Sequence, residues 1–434
     1  MKFSTIFLYE WKHFIRSPFK LIAMLLFIIA SMYGLHNGAA LFEKQSAEIA
    51  KIEDKIVEER ESWLAYYEKG EKGPEDRPWV DLSEPFWAVW NAPIYHFKSP
   101  SPALVYNIGQ AEQYGFYKDV NFGDSTYDAD MTEEIANPER LQSGTLDFSF
   151  VALYLLPLLL LIFLYNIKGA EADKGFLPLI YSQTGKEHIW LLARVSFYGV
   201  VLLLSMLVLM LYGAQLTGVF ASASGSFFQI FYWLSLYVVF WLVIYTLILH
   251  YGNGSIGNTL KMLGVWLLFA FIVPATVHQW ISIEEPASLM TEFIDAKRDE
   301  TDKLWEEEEE VIEARISELY PEIKEAGEEN KKSIPINESA TALSNEMVKE
   351  SIALIENRNE NRNKLIRFTY WFNPMTFMQN KLNELSHTHY QDYKNYRDEI
   401  QGLIDKQIKV MVLDGWKGVE VDKQKYLEYE QILR

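Results

Sequence analysis

The sequence predicts an all-α polytopic membrane protein with about five transmembrane helices and two mainly helical domains outside the bilayer. Three observations carry this. Five apolar runs, at least three of them longer than 18 residues, exceed any soluble core strand and suit helices crossing a ~30 Å hydrocarbon core. Two long polar segments, 42–148 and 281–434, are rich in helix formers and strongly acidic. Charge is segregated: the polar segments carry 22 acids against 10 bases and 33 against 21, while the rest of the chain is net positive.

Composition excludes several classes at once. With 434 residues, 49% of them apolar and 15% aromatic, the chain is not disordered. There is no cysteine, so disulfides, thiolate metal sites and cysteine nucleophiles are ruled out. The net charge of −19 argues against a nucleic-acid binder. No GxxxxGK[ST], HExxH or GxSxG occurs, so no catalytic, cofactor or metal site is assigned.

Residues 1–18 place Phe3, Phe7, Trp11 and Phe14 at helical spacing with Lys12, His13 and Arg16 among them, as in a helix lying in the membrane interface. A signal peptide fits less well, because the region is long and no small-residue cleavage site follows. The first span is expected over 19–41. Glu43–Glu68 continues it outward as a charged helix, ended by Gly70, Gly73, Pro74 and Pro78. Trp79, Trp87 and Trp90 read as a small core or an interfacial belt rather than a ligand-stacking surface.

The second span is expected over 149–167, overlapping LDFSFVALYLLPLLLLIFLY (Leu146–Tyr165), the third over 188–214, the fourth over 227–251 and the fifth over 258–280. Between the second and third lies a short polar element, 168–187. Arg194, His250, Lys261 and His278, near span ends, read as side chains reaching back to the interface. In the tail, Leu304–Ala326 and a helix capped by Asn337 or Ser339 and running to about Phe368 form a helical hairpin. The run Glu306–Glu310 reads as a solvated face. His387 and His389, two apart in SHTHY, do not suit a metal site.

All nine bases outside the acidic segments fall where five alternating spans put them on one side. The positive-inside tendency makes that side cytosolic and both acidic segments extracytoplasmic.

YEWKHFIRSP resembles the elbow helix of ABC-2-type permeases, with Trp11, Lys12 and Arg16 in the interfacial positions. GAEADKGFLPLIYSQTGKEHIWLLARV resembles that family's cytosolic loop. Glu171, Gly175, Leu177, Leu179 and Gly185 fill its acidic, glycine and leucine places, and Tyr181 falls within the same loop. Lys174 and Phe176 stand where the family often has Gln or Ser, and Thr. Residues 101–122, 137–159 and 372–400 are similar to segments of a bacterial subfamily with a large insertion after the first span and a C-terminal soluble domain of unknown function. The family plan has six spans, and here five apolar runs are followed by the acidic tail.

The resemblance implies a non-catalytic permease subunit in a bacterial inner membrane, N-terminus in the cytosol. Its partners would be a dimeric cytosolic ATPase binding ATP and magnesium, a second permease subunit, membrane lipid and a periplasmic protein. Glu171, Lys174, Gly175, Leu177, Leu179, Tyr181 and Gly185 would form the ATPase-coupling element. The output would be export or mechanical work outside the membrane. The competing class is a membrane-anchored structural or sensory protein that transports nothing.

Overall fold

In the computed structural model the described residues are 3–124, 126, 146–184, 187–252, 254–285, 304, 307–325 and 335–433. The chain opens with α1 (Phe3–Ile15), whose Ile6 and Phe14 are buried at one end of the bundle while Leu8, Trp11 and Ile15 are exposed. Then α2 (Pro18–Lys69) runs unbroken for 52 residues. At ~1.5 Å per residue that is about 78 Å, more than twice a hydrocarbon core. Its first half is apolar and its second half is charged. Pro18 sits in its first turn, and Gly70 ends it at φ 69°, donating its N–H to the carbonyls of the last turn. Both the charged continuation of the helix and its glycine stop are as the sequence reading has them.

Among the described residues four helices are long and apolar enough to cross a membrane: α2, α7 (Glu187–Thr217), α9 (Ser224–Tyr251) and α10 (Ser255–Glu284). A fifth apolar helix, α4 (Phe148–Leu164), is shorter. Its length, about 25 Å, is at the low end for a crossing helix. Two neighbours shorten it. Asp147 caps it, accepting from the Phe150 N–H at 2.7 Å, and Gly34 on α2 lies so close that a Cβ there would meet the Asp147 backbone at 2.5 Å. Residues Val151–Leu155 form a π-turn ahead of Pro157. Lacking an N–H, Pro157 leaves the Leu153 carbonyl without its helical donor, and the Tyr237 hydroxyl on α9 supplies one at 2.7 Å. In α10 a second π-turn, Leu268–Ile272, precedes Pro274.

The segments flanking the bundle hold α3 (Pro85–Trp90), a two-stranded antiparallel pair β1 (Tyr95–Phe97) and β2 (Tyr117–Asp119), α11 (Glu309–Leu319), α12 (Ile336–Phe368), α13 (Pro374–Leu385), α14 (Tyr390–Trp416) and α15 (Lys423–Leu433). Short helices α5 (Gly169–Asp173) and α6 (Leu177–Thr184) follow α4, and α8 (Val219–Ser222) links α7 to α9.

The sequence reading counts two separate domains; among the described residues, parts of both segments share one core. Ala88, Val89, Ile94, Val120 and Phe122 from the first segment share a core with Ile316, Ile400, Ile404 and Tyr426 from the second. Neither segment supplies enough apolar surface alone: α3 buries one face of a single turn and a half, and it needs α14 beneath it. The upper end of α2 joins through Trp63 and Tyr67, and Arg60 grips Glu430 with its Nε 2.8 and 2.9 Å from the two carboxylate oxygens.

One smaller expectation changes. Asn337 and Ser339 lie inside α12 rather than capping it; the Ser339 hydroxyl donates back to the Pro335 carbonyl at 2.8 Å. His387 occupies the turn before α14 at φ 57°, and His389 caps that helix. Glu306 lies outside the described residues, whereas Glu307 pairs with Arg315.

Candidate coupling site at the α1 end of the bundle

An amphipathic helix that lies across a bundle needs its face matched by side chains from below. Phe7, Trp11 and Phe14 of α1 meet the edge of Phe197 on α7 at centroid distances of 5.1, 6.2 and 6.1 Å. Between them Glu10 points inward and is 4% exposed. A buried carboxylate is tolerated only when it is paired. Here Arg194 on α7 donates Nε to Glu10 at 2.7 Å, and the Tyr198 hydroxyl donates to its other oxygen at 2.6 Å.

Arg194 reaches further. Its Nη1 donates to the Ile167 carbonyl at 2.8 Å and to the Glu171 carboxylate on α5. Lys20, at the foot of α2, donates to the Tyr198 hydroxyl at 2.6 Å and to the Phe163 carbonyl at 2.9 Å. Two acids and two bases therefore cancel, and one guanidinium joins α1, α5 and α7 while Lys20 adds α2 and α4. Burial pushes the Glu10 carboxyl up, but Arg194, Tyr198 and Lys20 outweigh it and hold the group below its usual value.

Two further contacts set the angle of α5. Lys168 donates to the His250 carbonyl at 2.7 Å, and the Ser255 hydroxyl lies 2.8 Å from both Asn166 and Asp173. Gly169 packs on Ser255 so tightly that a Cβ would meet its backbone at 2.6 Å. The chain then reverses at Gly175, whose φ of 73° favours glycine.

The predicted coupling residues divide sharply. Leu177 is half-buried against the bundle core, as is Ile180. Lys174, Gly175 and Leu179 are exposed, and Phe176 stands beside them; Phe176 and Leu179 are 55% and 58% exposed. Glu171 is not an open docking residue: it is turned inward onto Arg194. Gly185 and the Tyr181 side chain lie outside the described residues. In the elbow, Trp11, Lys12 and Arg16 are exposed, as an interfacial face requires.

Sequence reasoning missed Glu10 as a site residue and took Arg194 for an interfacial side chain. A signal was present. Only four acids lie outside the two outer segments, and two of them, Glu10 and Glu171, converge on Arg194.

A family model described as a domain of unknown function, DUF3526, matches residues 290–431, about a third of the chain. The match covers α11 to α14 and most of α15 and leaves the apolar helices outside it. No curated protein and no solved structure matches the chain.

Proposed function

We propose that the chain is the membrane subunit of an ABC-2-type transporter, driven by a separate ATPase that docks against α5 and α6. The observation that carries this is the Glu10–Arg194–Glu171 tie. A force applied to α5–α6 passes through Arg194 into α1 and α7, and through Tyr198 and Lys20 into α2 and α4. A loop that merely connected two spans would need no such bracing. Phe176 and Leu179, apolar and exposed beside Lys174, supply a lip for a partner surface.

In this reading α1, α5 and α6 face the cytosol of a bacterium and the joint outer domain faces away from it. The five-span layout includes α4. ATP and magnesium belong to the ATPase dimer. Two membrane subunits move against each other as the ATPases close, provided that the docked surface differs between the two states. The chain performs no catalysis of its own.

Affinity purification of the full chain from its native membrane, with identification of bound proteins, tests the proposal. An ATP-binding-cassette ATPase should co-purify. Phe176→Asp with Leu179→Asp should release it without loss of membrane insertion. Wild-type protein that brings down no such ATPase would overturn the reading and favour a membrane-anchored structural or sensory protein.

A further inference from the structure

The opposite end of the bundle carries an aromatic corner that the transporter reading does not use. Between α12 and α13 a short 3-10 turn, Thr369–Trp371, sets its first two residues against the fold and its last outward. Thr369 is buried, with its hydroxyl donating to the Ile366 carbonyl at 2.7 Å. Tyr370 accepts from Asn380 at 2.9 Å and packs on Phe377. Asn373 caps α13. This framework holds Phe368, Trp371 and Phe372 outward at 68%, 94% and 49% exposure. Among the described residues no other large apolar side chain is as exposed as Trp371.

Its level along the bundle follows from what α12 and α13 touch. Arg362 donates to the Glu285 carbonyl at 3.0 Å, so α12 passes the tip of α10 at that point. Downstream, α13 touches the π-turns Leu268–Ile272 of α10 and Val151–Leu155 of α4. The first of these ends about 18 Å before the tip of α10 at ~1.5 Å per residue. The chain from Arg362 to α13 therefore runs back alongside the apolar helices. Met375, Met378, Leu382 and Leu385 of α13 belong to the same core as those helices, and Phe377 meets Trp233 of α9 at 5.5 Å. Bases also gather here: Arg358, Arg362, Lys364 and Arg367 fall within ten residues of an otherwise acidic tail. Arg358, Lys364 and Arg367 are exposed.

We infer that Phe368, Trp371 and Phe372 insert into the membrane leaflet opposite α1, with Lys364 and Arg367 set against its anionic headgroups. Aromatic residues favour that depth because the ring body prefers hydrocarbon and the indole N–H prefers water. Basic side chains above them gain from the negative surface. The corner thus forms a second interfacial anchor, which joins the outer domain to the bilayer directly. The inference rests on the membrane reading of α2, α7, α9 and α10 and not on transport.

The absence of cysteine makes the test direct. Trp371→Cys and Phe368→Cys, each spin-labelled in the full chain, are placed in liposomes of phosphatidylethanolamine and phosphatidylglycerol. Leu204→Cys on α7 serves as the lipid reference and Val57→Cys on the outward part of α2 as the aqueous one. Labels at 371 and 368 should meet oxygen several-fold more often than a water-soluble nickel chelate, as at 204 and in contrast to 57. Lys364→Glu with Arg367→Glu should move the 371 label outward when phosphatidylglycerol is present and leave it in place in phosphatidylcholine alone. Chelate access at 371 equal to that at 57 overturns the anchor, and so does low access to both probes, which means a second copy or another protein covers the corner. Aqueous behaviour at 204 would overturn the membrane reading itself, and a charge-reversed pair with no shift would overturn the headgroup contact.

Discussion

The two ends of the bundle are tied by different chemistry. At the α1 end the tie is ionic: Glu10, Glu171, Arg194 and Lys20 converge, with Tyr198 between them. At the α13 end it is neutral. Asn383 Oδ1 accepts from Asn107 at 2.8 Å and from Gln379 at 3.1 Å, and Gln379 donates also to Asn107 Oδ1 at 3.0 Å. The Asn107 amide lies 3.1 Å from the Thr388 hydroxyl as well. Both hold an amphipathic helix against the same apolar core. The difference teaches where stiffness is wanted. An ion pair out of water is costly to break by removing one partner, whereas an amide network fails in smaller steps.

Arg194 offers the sharpest way to break the comparison. Arg194→Ala strands two carboxylates, one of them almost fully buried, and removes the donor to the Ile167 carbonyl. A loss of about 3–5 kcal/mol is expected, read as a large fall in thermal midpoint and in yield of folded protein in detergent. Arg194→Lys keeps the charge but not the fork that reaches α1 and α5 together, so it should recover only part. If Arg194→Ala unfolds at the wild-type temperature, the ionic tie is not what holds α1.

At the other end, Asn383→Ala leaves the Asn107 and Gln379 amides each short of an acceptor inside the core. About 1–3 kcal/mol is expected, less than for Arg194. A double-mutant cycle of Asn383→Ala with Asn107→Ala should show clear coupling, because the two share one hydrogen bond directly. Additive effects would mean that the neutral network is not a unit.

Much of this contrast was hidden from sequence for physical reasons. Long apolar runs and the Gly70 stop are local signals, so the continuous α2 and the helices near 188–214, 227–251 and 258–280 were legible. Which partner a buried charge finds is not local: Glu10 and Arg194 are 184 residues apart. Nor is a shared core. Ile94 and Val120 carry no mark of the Ile400 and Ile404 that cover them, so one domain read as two. Between α4 and α7 neither the exposure of Leu179 nor the inward turn of Glu171 was legible, because a loop leucine or acid looks alike whether it faces water or the bundle.

Between the two ends, the proline of α4 gives a smaller and cleaner test. Tyr237→Phe leaves the Leu153 carbonyl with neither its helical donor nor a replacement. The expected loss is about 1 kcal/mol. In a Pro157→Ala background the backbone N–H at 157 returns as a donor, so Tyr237→Phe should cost less there. An equal cost in both backgrounds would show that the tyrosine acts through packing alone.

Acid separates the ends with the least perturbation. The His389 Nδ1 caps α14 by accepting the Gln391 N–H at 3.1 Å, while the His389 N–H donates to Asp392. Burial lowers the His389 pKa below its usual value, and Asp392 only partly offsets this. A group whose folded pKa is depressed gives stability that is present above its unfolded value and lost as pH falls through the folded one. That loss begins below about pH 6.5, where protonation also removes the accepting lone pair. The Glu10 carboxyl is depressed too, so its contribution disappears only below the ordinary carboxylate range. Acidification should therefore loosen the α13–α14 end first and the α1 end well afterwards. Thermal midpoints taken across pH check the order. His389→Asn, which keeps a cap that cannot titrate, should flatten the upper limb and leave the lower one; Glu10→Gln should do the reverse, on a lower baseline. His389→Ala should cost about 1 kcal/mol at neutral pH and progressively less as the pH falls. If both limbs survive His389→Asn, the first loss on acidification belongs to another group and the two ends do not part in this way.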